Sequence, residues 1–164
     1  MSPRDTQRSR VYAAEEFVRT LFDRAARHSS RSIDFFGEPL TLPPEARFGS
    51  VQAVQRYVDA VVNLPAVRTR WPVCGPIAVR SRRATTAAHY EVVDGAGVIA
   101  VPAGEQWALR ELVVLHEVAH HLCPDASPAH GPAFVATFCA LAAAVMGPEA
   151  GHVLRVVYAK EGVR

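Results

Sequence analysis

The stretch that most constrains this chain is LHEVAHHLCPDASPAH, residues 115–130. Within it His116, Glu117 and His120 match H-E-x-x-H, and apolar residues recur at helical period from Glu105 to Leu122. Residues four apart lie on one face of a helix, so both imidazoles can converge on one ion while Glu117 lies beside it. We therefore predict that His116 and His120 bind zinc, with Glu117 as general base for a metal-activated water.

A third zinc ligand has to come from outside this helical pair, since catalytic zinc sites usually use three protein ligands. His121 is turned about 100° around the helix from His120, so we predict that it packs or hydrogen bonds beside the site. His130 is the preferred third ligand, because the CPDASP loop (Cys123–Pro128) can reverse the chain and return its side chain to the ligand face. Glu149 is the alternative, as a carboxylate ligand from a later helix.

Three further residues follow Glu149 at helical spacing and could stabilise charge in a transition state: His152, Arg155 and Tyr158. The alternative for each is a position on the surface or packing face of the last helix. Glu111 has two interpretations as well, because it could orient a ligand histidine or be an exposed helical glutamate.

The order of predicted elements indicates an α+β fold with a small antiparallel sheet between groups of helices. Residues 37–47 contain three prolines and predict a loop, and Asp94–Gly97 predicts a turn before a last strand. Predicted strands lie within Ile77–Val93 and at Val98–Val101. The predicted helices are Ser9–His28, Val51–Asn63 (with Ser50 as N-cap and Pro65 as stop), Glu105–Leu122, one from Gly131-Pro132 to Gly147-Pro148, and Glu149–Lys160.

The length of 164 residues fits a single domain that can bury its own core. We divide it into residues 1–8, expected to be flexible, residues 9–65 with the N-terminal helices, and residues 76–163 with the metal-binding core. The net charge of +2 is too small to indicate binding to nucleic acid or to a membrane surface.

The cellular location expected from the sequence is the cytoplasm. The first ten residues carry no apolar signal core behind them, and no apolar run is long enough to span a bilayer. The three cysteines, Cys74, Cys123 and Cys139, form no C-x-x-C pair and are interpreted as free thiols of a reducing compartment.

The metal motif and its continuation also carry a family resemblance. HEVAH followed by HGPAF (His130–Phe134) resembles the SprT-like zinc metalloproteases. It resembles more closely a group of actinobacterial metallohydrolases that end in a stretch like GPEAGHVLRVVY (Gly147–Tyr158). The resemblance covers roughly residues 76–163. It implies a zincin-like fold, His116, His120 and His130 as zinc ligands, and Glu117 as the catalytic residue.

The resemblance has two further consequences for substrate. It implies an edge strand before the active-site helix, here Val98–Val101, along which an extended peptide could lie. Many SprT-like proteins carry a cysteine-rich zinc ribbon or another DNA-binding attachment, whereas this sequence contains no C-x-x-C pair, so we predict no nucleic-acid partner.

The function predicted from these patterns is a zinc-dependent hydrolase of peptide bonds acting on a peptide or protein substrate. One alternative is a catalytically silent, zinc-stabilised module that binds peptides, although such a site has no need of Glu117. Another alternative is a hydrolase of non-peptide amides.

Overall fold

A computed structural model describes residues 3–83, 87–102, 104 and 109–164 of the chain. These residues form helices and two small sheets, which makes the fold α+β as predicted. The described helices are α1 (Arg8–Ala26), α2 (Val51–Val62), α3 (Pro65–Arg70), α4 (Glu111–Leu122), α5 (Pro132–Met146) and α6 (Pro148–Lys160). The described strands are β1 (Ser32–Phe35), β2 (Glu38–Thr41), β3 (Ile77–Arg82), β4 (His89–Val93) and β5 (Ala96–Pro102).

The chain divides into two compact units. The first comprises Met1–Glu45 and Asp125–Arg164, and the second comprises Ala46–Pro124. A bilayer-spanning helix would need more length and more apolar character than any helix in the described ranges provides.

The first unit is built on three helices, in which α6 packs against both α1 and α5. The predicted apolar stripe of α1 is buried, from Val11 to Ala25, because its members recur every three or four residues. Gly151 of α6 meets α5 so closely that a β-carbon there would lie 2.9 Å from the carbonyl oxygen of Cys139. The boundaries of α1, α5 and α6 agree with the predicted ones to within a few residues.

The first unit also contains a hairpin where a loop was predicted. β1 and β2 pair antiparallel, and Phe36 and Gly37 connect them with positive φ angles of 50° and 90°. Two consecutive residues of this kind give the tight turn whose twist matches paired strands. The prediction for residues 37–47 was wrong at β2, since Pro39 lies in a two-stranded sheet, where each strand has an edge that tolerates proline.

The second unit begins with α2, whose predicted start at Ser50 is confirmed. The Ser50 hydroxyl accepts a hydrogen bond of 3.1 Å from the backbone N–H of Ala53, as an N-cap residue does. Pro65 lies just after this helix, as predicted, but it also opens α3, a helix that was not predicted. Proline suits the first turn of a helix because the N–H it lacks has no helical partner there.

The sheet of the second unit has the strand order β3-β5-β4, with β3 parallel and β4 antiparallel to β5. The prediction of an antiparallel sheet is therefore wrong for β3. The implied edge strand Val98–Val101 is also wrong, because β5 is the central strand and both of its edges are hydrogen bonded. Its continuous buried run from Gly97 to Pro102 is typical of a central strand covered on both faces.

Helix α4 starts later than its apolar period suggested. It begins at Glu111, and before it Leu109 accepts a hydrogen bond from Phe48 while Arg110 bridges to Arg47. The backbone thus has extended pairing partners at the point where helical period alone predicted a helix. The rest of the predicted start, residues 105–108, lies outside the described residues.

Candidate metal centre

Helix α4 is apolar almost all round, and it carries the two histidines of the motif into buried positions. His116 and Glu117 are only 3% and 7% exposed, whereas His120 is half-buried. The two Nε2 atoms of His116 and His120 are 3.2 Å apart, because residues four apart stand above one another on a helix. Two nitrogens bound tetrahedrally to one zinc ion at about 2.0–2.1 Å would be about 3.3 Å apart, so the pair fits the geometry of zinc ligands.

His121, the next residue of α4, makes its hydrogen bonds on the sheet side of the second unit. Its Nε2 donates to the carbonyl oxygen of Gly75 at 2.9 Å. A carbonyl only accepts, so in the neutral ring Nδ1 has no proton and accepts from the hydroxyl of Tyr90 at 3.0 Å. Both ring nitrogens of His121 are thereby used in holding α4 to β4 and to the segment before β3.

Gly97 leaves space for the His121 ring, and Tyr90 lies beside that ring. A β-carbon at Gly97 would lie 2.4 Å from His121 Nδ1 and 3.2 Å from the Tyr90 hydroxyl, so a side chain at this position would have to displace the His121 ring. The Tyr90 ring also lies nearly parallel to the His120 ring, with centroids 6.4 Å apart. Burial raises the pKa of Tyr90, which keeps its hydroxyl protonated as the donor.

His130 lies just before α5 in the first unit and is 5% exposed. Its Nδ1 is 2.7 Å from Oδ2 of Asp5, and its backbone carbonyl accepts a hydrogen bond of 2.7 Å from the side-chain amide of Gln7. The rings of Tyr12 and Phe134 lie 5.2 and 5.1 Å from the imidazole, centroid to centroid. A short segment before α1, the first turns of α1 and the start of α5 together fix this side chain.

The three histidines form a group that could hold a metal ion. Each of His116, His120 and His130 offers a ring nitrogen, and these atoms lie within 4.8 Å of one another. Among the described residues Glu149, the alternative third ligand, is not part of such a group. It lies half-buried in the first turn of α6.

The three residues considered for transition-state stabilisation have different positions on α6. His152 and Arg155 are exposed, and the His152 ring lies against Phe35 at 6.0 Å between centroids. Tyr158 is buried and its hydroxyl donates to Oε1 of Glu15 at 2.5 Å. Burial, together with the nearby Glu15 carboxylate, raises the pKa of Tyr158 well above its ordinary value.

Glu111 is neither exposed nor directed to a ligand histidine through the hydrogen bonds that the structure defines. It is buried, with Oε1 accepting from the Tyr57 hydroxyl at 2.5 Å and Oε2 accepting from the backbone N–H of Ala46 at 2.8 Å. It joins α2 and the segment before it to the first turn of α4. The surface interpretation failed because helical period cannot show which chain segment covers a helix end.

Asp5, Gln7 and Tyr90 lie near the candidate ligands and were not predicted from the sequence. Asp5 and Gln7 belong to a polar N-terminal stretch that was expected to be flexible, and Tyr90 belongs to an ordinary alternating strand. No motif spacing connects them to the histidines, since Asp5 and His130 are 125 residues apart in the chain.

Comparison of the chain with protein-family models, with curated proteins and with solved structures gave no match. The chemistry of this site therefore has to follow from its own donor atoms, burial and hydrogen bonds. Those features comprise three imidazoles whose ring nitrogens lie close together and a buried glutamate between two of them in sequence.

Proposed function

We propose that this protein is a zinc-dependent hydrolase of peptide bonds, with His116, His120 and His130 as zinc ligands and Glu117 as the catalytic base. The observation that carries the proposal is the close group of three imidazole nitrogens with a buried carboxylate next to His116 in the same helix. The proposal includes a zincin-like identity for the fold, of the kind that the SprT-like resemblance of the motif implies.

Zinc is a metal that this donor set suits. Imidazole nitrogen is a preferred zinc ligand, and three protein ligands leave a coordination position open, which distinguishes catalytic from structural zinc sites. The separation of 3.2 Å between His116 Nε2 and His120 Nε2 is close to that expected for two ligands of one tetrahedral ion. A site with these three ligands supports a catalytic role better than a purely structural one.

The chemical roles follow from the residues of α4. Zinc, when bound, supplies Lewis acidity that acidifies water and polarises a carbonyl group. The Glu117 carboxylate takes one proton from the attacking water and later delivers it to the leaving amine, so that the amide and water become a carboxylic acid and a free amine. The burial of Glu117 supports this role, because a buried carboxylate is shielded from competing bulk water.

The substrate that we propose is an extended peptide or protein segment. β5 cannot pair with it, because both edges of this strand are already hydrogen bonded. Within the described sheet β4 has an open edge, and Val92 and Val93 of this strand are exposed. Since β4 also packs against α4, its open edge is the place in the second unit where a backbone could pair beside the motif helix.

The test is a Glu117→Gln variant, compared with wild type at equal zinc content by elemental analysis. Cleavage of an unstructured protein substrate is followed by mass spectrometry. Because the amide cannot accept the proton, we expect the cleavage rate to fall by about 10²–10⁴-fold. Glu161→Gln, at an exposed position after α6, is the matched control and keeps the wild-type rate.

Equal rates for wild type and Glu117→Gln would refute the catalytic role. Zinc binding by wild type without any cleavage, together with saturable binding of the same substrate, would instead favour the silent peptide-binding module. Cleavage restricted to small non-peptide amides would favour a hydrolase of non-peptide amides over a peptidase.

A further inference from the structure

The imidazole of His130 is oriented by residues that lie far away in the sequence. Its Nδ1 is 2.7 Å from Asp5 Oδ2, and the two side chains are 7% and 21% exposed. A carboxylate oxygen accepts hydrogen bonds, so the proton lies on Nδ1 of the neutral ring and the lone pair lies on Nε2. Asp5 thereby selects the tautomer in which Nε2 is the nitrogen that can bind a metal.

We propose that Asp5 is a positioning residue for His130, and that through it the segment before α1 is a required part of the metal centre. The proposal rests on the proposed function, in which His130 is a zinc ligand. The hydrogen bond to Asp5 would fix the ring orientation and make Nε2 a stronger electron-pair donor, as a carboxylate does when it accepts the second N–H of a metal-bound histidine.

The neighbours of Asp5 show that this segment is held in place. The Gln7 side chain donates to the carbonyl oxygen of His130 at 2.7 Å and to that of Arg164 at 2.9 Å. It also accepts from the backbone N–H of Arg164 at 3.1 Å. Tyr12, one turn into α1, lies against the His130 ring. The backbone and the ring of His130 are thus held separately, so that Asp5 fixes an imidazole whose main chain Gln7 already places.

The alternative for Asp5 is a purely structural ion pair with His130 that ties the N-terminus to the first unit. Such a pair would affect the stability of the protein without zinc but would not specifically alter zinc affinity. A positioning role predicts that loss of Asp5 lowers zinc affinity, since the orientation and basicity of Nε2 matter most when it binds an ion. The two roles therefore differ in a measurable quantity.

The experiment measures zinc affinity of the full chain by competition with a chromophoric chelator. Asp5→Ala removes the acceptor, and we expect affinity to fall about 10–100-fold. Asp5→Asn keeps a neutral acceptor and is expected to lower zinc affinity about three- to tenfold, because hydrogen bonds to a charged group are roughly twice as strong as those between neutral groups. Asp34→Ala and Asp34→Asn make the same changes at an exposed position of β1 and are expected to leave the affinity unchanged.

Two further measurements separate positioning from folding. Melting temperatures are recorded in excess chelator, and a variant counts only if it unfolds cooperatively there. The visible spectrum of the Co²⁺-substituted protein reports ligand geometry, and we expect its band positions to shift in Asp5→Ala but not in Asp34→Ala. If Asp5→Ala does not fold, Asp5→Asn decides the question.

Wild-type zinc affinity and an unchanged cobalt spectrum in the folded Asp5 variants would overturn the positioning role. His130→Ala distinguishes this failure from failure of the proposed function. If His130→Ala weakens zinc binding while the Asp5 variants do not, only the role of Asp5 is wrong. If wild type binds no zinc, or His130→Ala binds it as tightly as wild type, the proposed zinc ligands are wrong.

Discussion

Gly97 of β5 lies against the His121 ring of α4, and Gly97→Ala tests the packing beside the metal motif. The new β-carbon would lie 2.4 Å from Nδ1 and 2.8 Å from Cε1 of His121. Both distances are far below van der Waals contact, so the imidazole must move. The hydrogen bonds of the His121 ring to the Tyr90 hydroxyl and to the carbonyl oxygen of Gly75 would then be lost or lengthened.

The expected magnitude follows from three contributions. Two hydrogen bonds contribute about 1 kcal/mol each, and overpacking costs at least about 1 kcal/mol more. Replacing glycine inside a strand returns about 0.5–1 kcal/mol of backbone entropy. We therefore expect Gly97→Ala to lower the free energy of unfolding by about 2 kcal/mol, which is ~4–8 °C in melting temperature for a chain of 164 residues.

The assay is thermal unfolding in excess chelator, so that zinc does not contribute. His121→Ala provides a second background, because it removes the ring that the new β-carbon would meet. In that background Gly97→Ala is expected to cost less than about 0.5 kcal/mol, the remainder being the coupling between the two sites. An equal cost in both backgrounds would refute the steric explanation.

Two other predictions concern zinc and a buried tyrosine. Zinc at 100 times its dissociation constant should raise the free energy of unfolding by about 2.7 kcal/mol, or ~5–11 °C in melting temperature. His116→Ala should lose this gain. A wild-type melting temperature that does not depend on zinc would contradict the ligand set. Tyr158 has a pKa raised well above 10.0 by burial, so above about pH 10 the unfolded chain loses a proton that the folded chain keeps. Unfolding free energy should therefore fall as pH rises through this range, and chemical denaturation should show a shallower fall for Tyr158→Phe; identical slopes would show that Tyr158 does not contribute.

The sequence by itself determined most of the helices and the helical half of the candidate site. The spacing of His116, Glu117 and His120 places two imidazoles on one helical face, because an α-helix has 3.6 residues per turn whatever surrounds it. The same kind of local rule placed Ser50 at the start of α2 and Gly147 between α5 and α6. These features depend on neighbours within one or two turns, and such neighbours are visible in the sequence.

Strand order was decided only by the tertiary structure. The buried run of β5 fits a central strand, but its parallel pairing with β3 depends on how the intervening chain crosses over. Period-two patterns report which faces of a strand are buried and say nothing of its neighbours. The expected edge strand Val98–Val101 was wrong for this reason.

The surroundings of His130 were likewise decided by the tertiary structure. Asp5 approaches this histidine across 125 residues of chain, and Gln7 reaches Arg164 across 157. Glu111 became buried because Ala46 and Tyr57 cover it, although its helical position alone is equally consistent with exposure. Polar contacts of this kind require that distant segments have already been brought together by burial of the apolar core, so no local pattern encodes them. The sequence thus indicated which residues could bind a metal, whereas the fold determined how His130 and the helix that carries His116 and His120 are held.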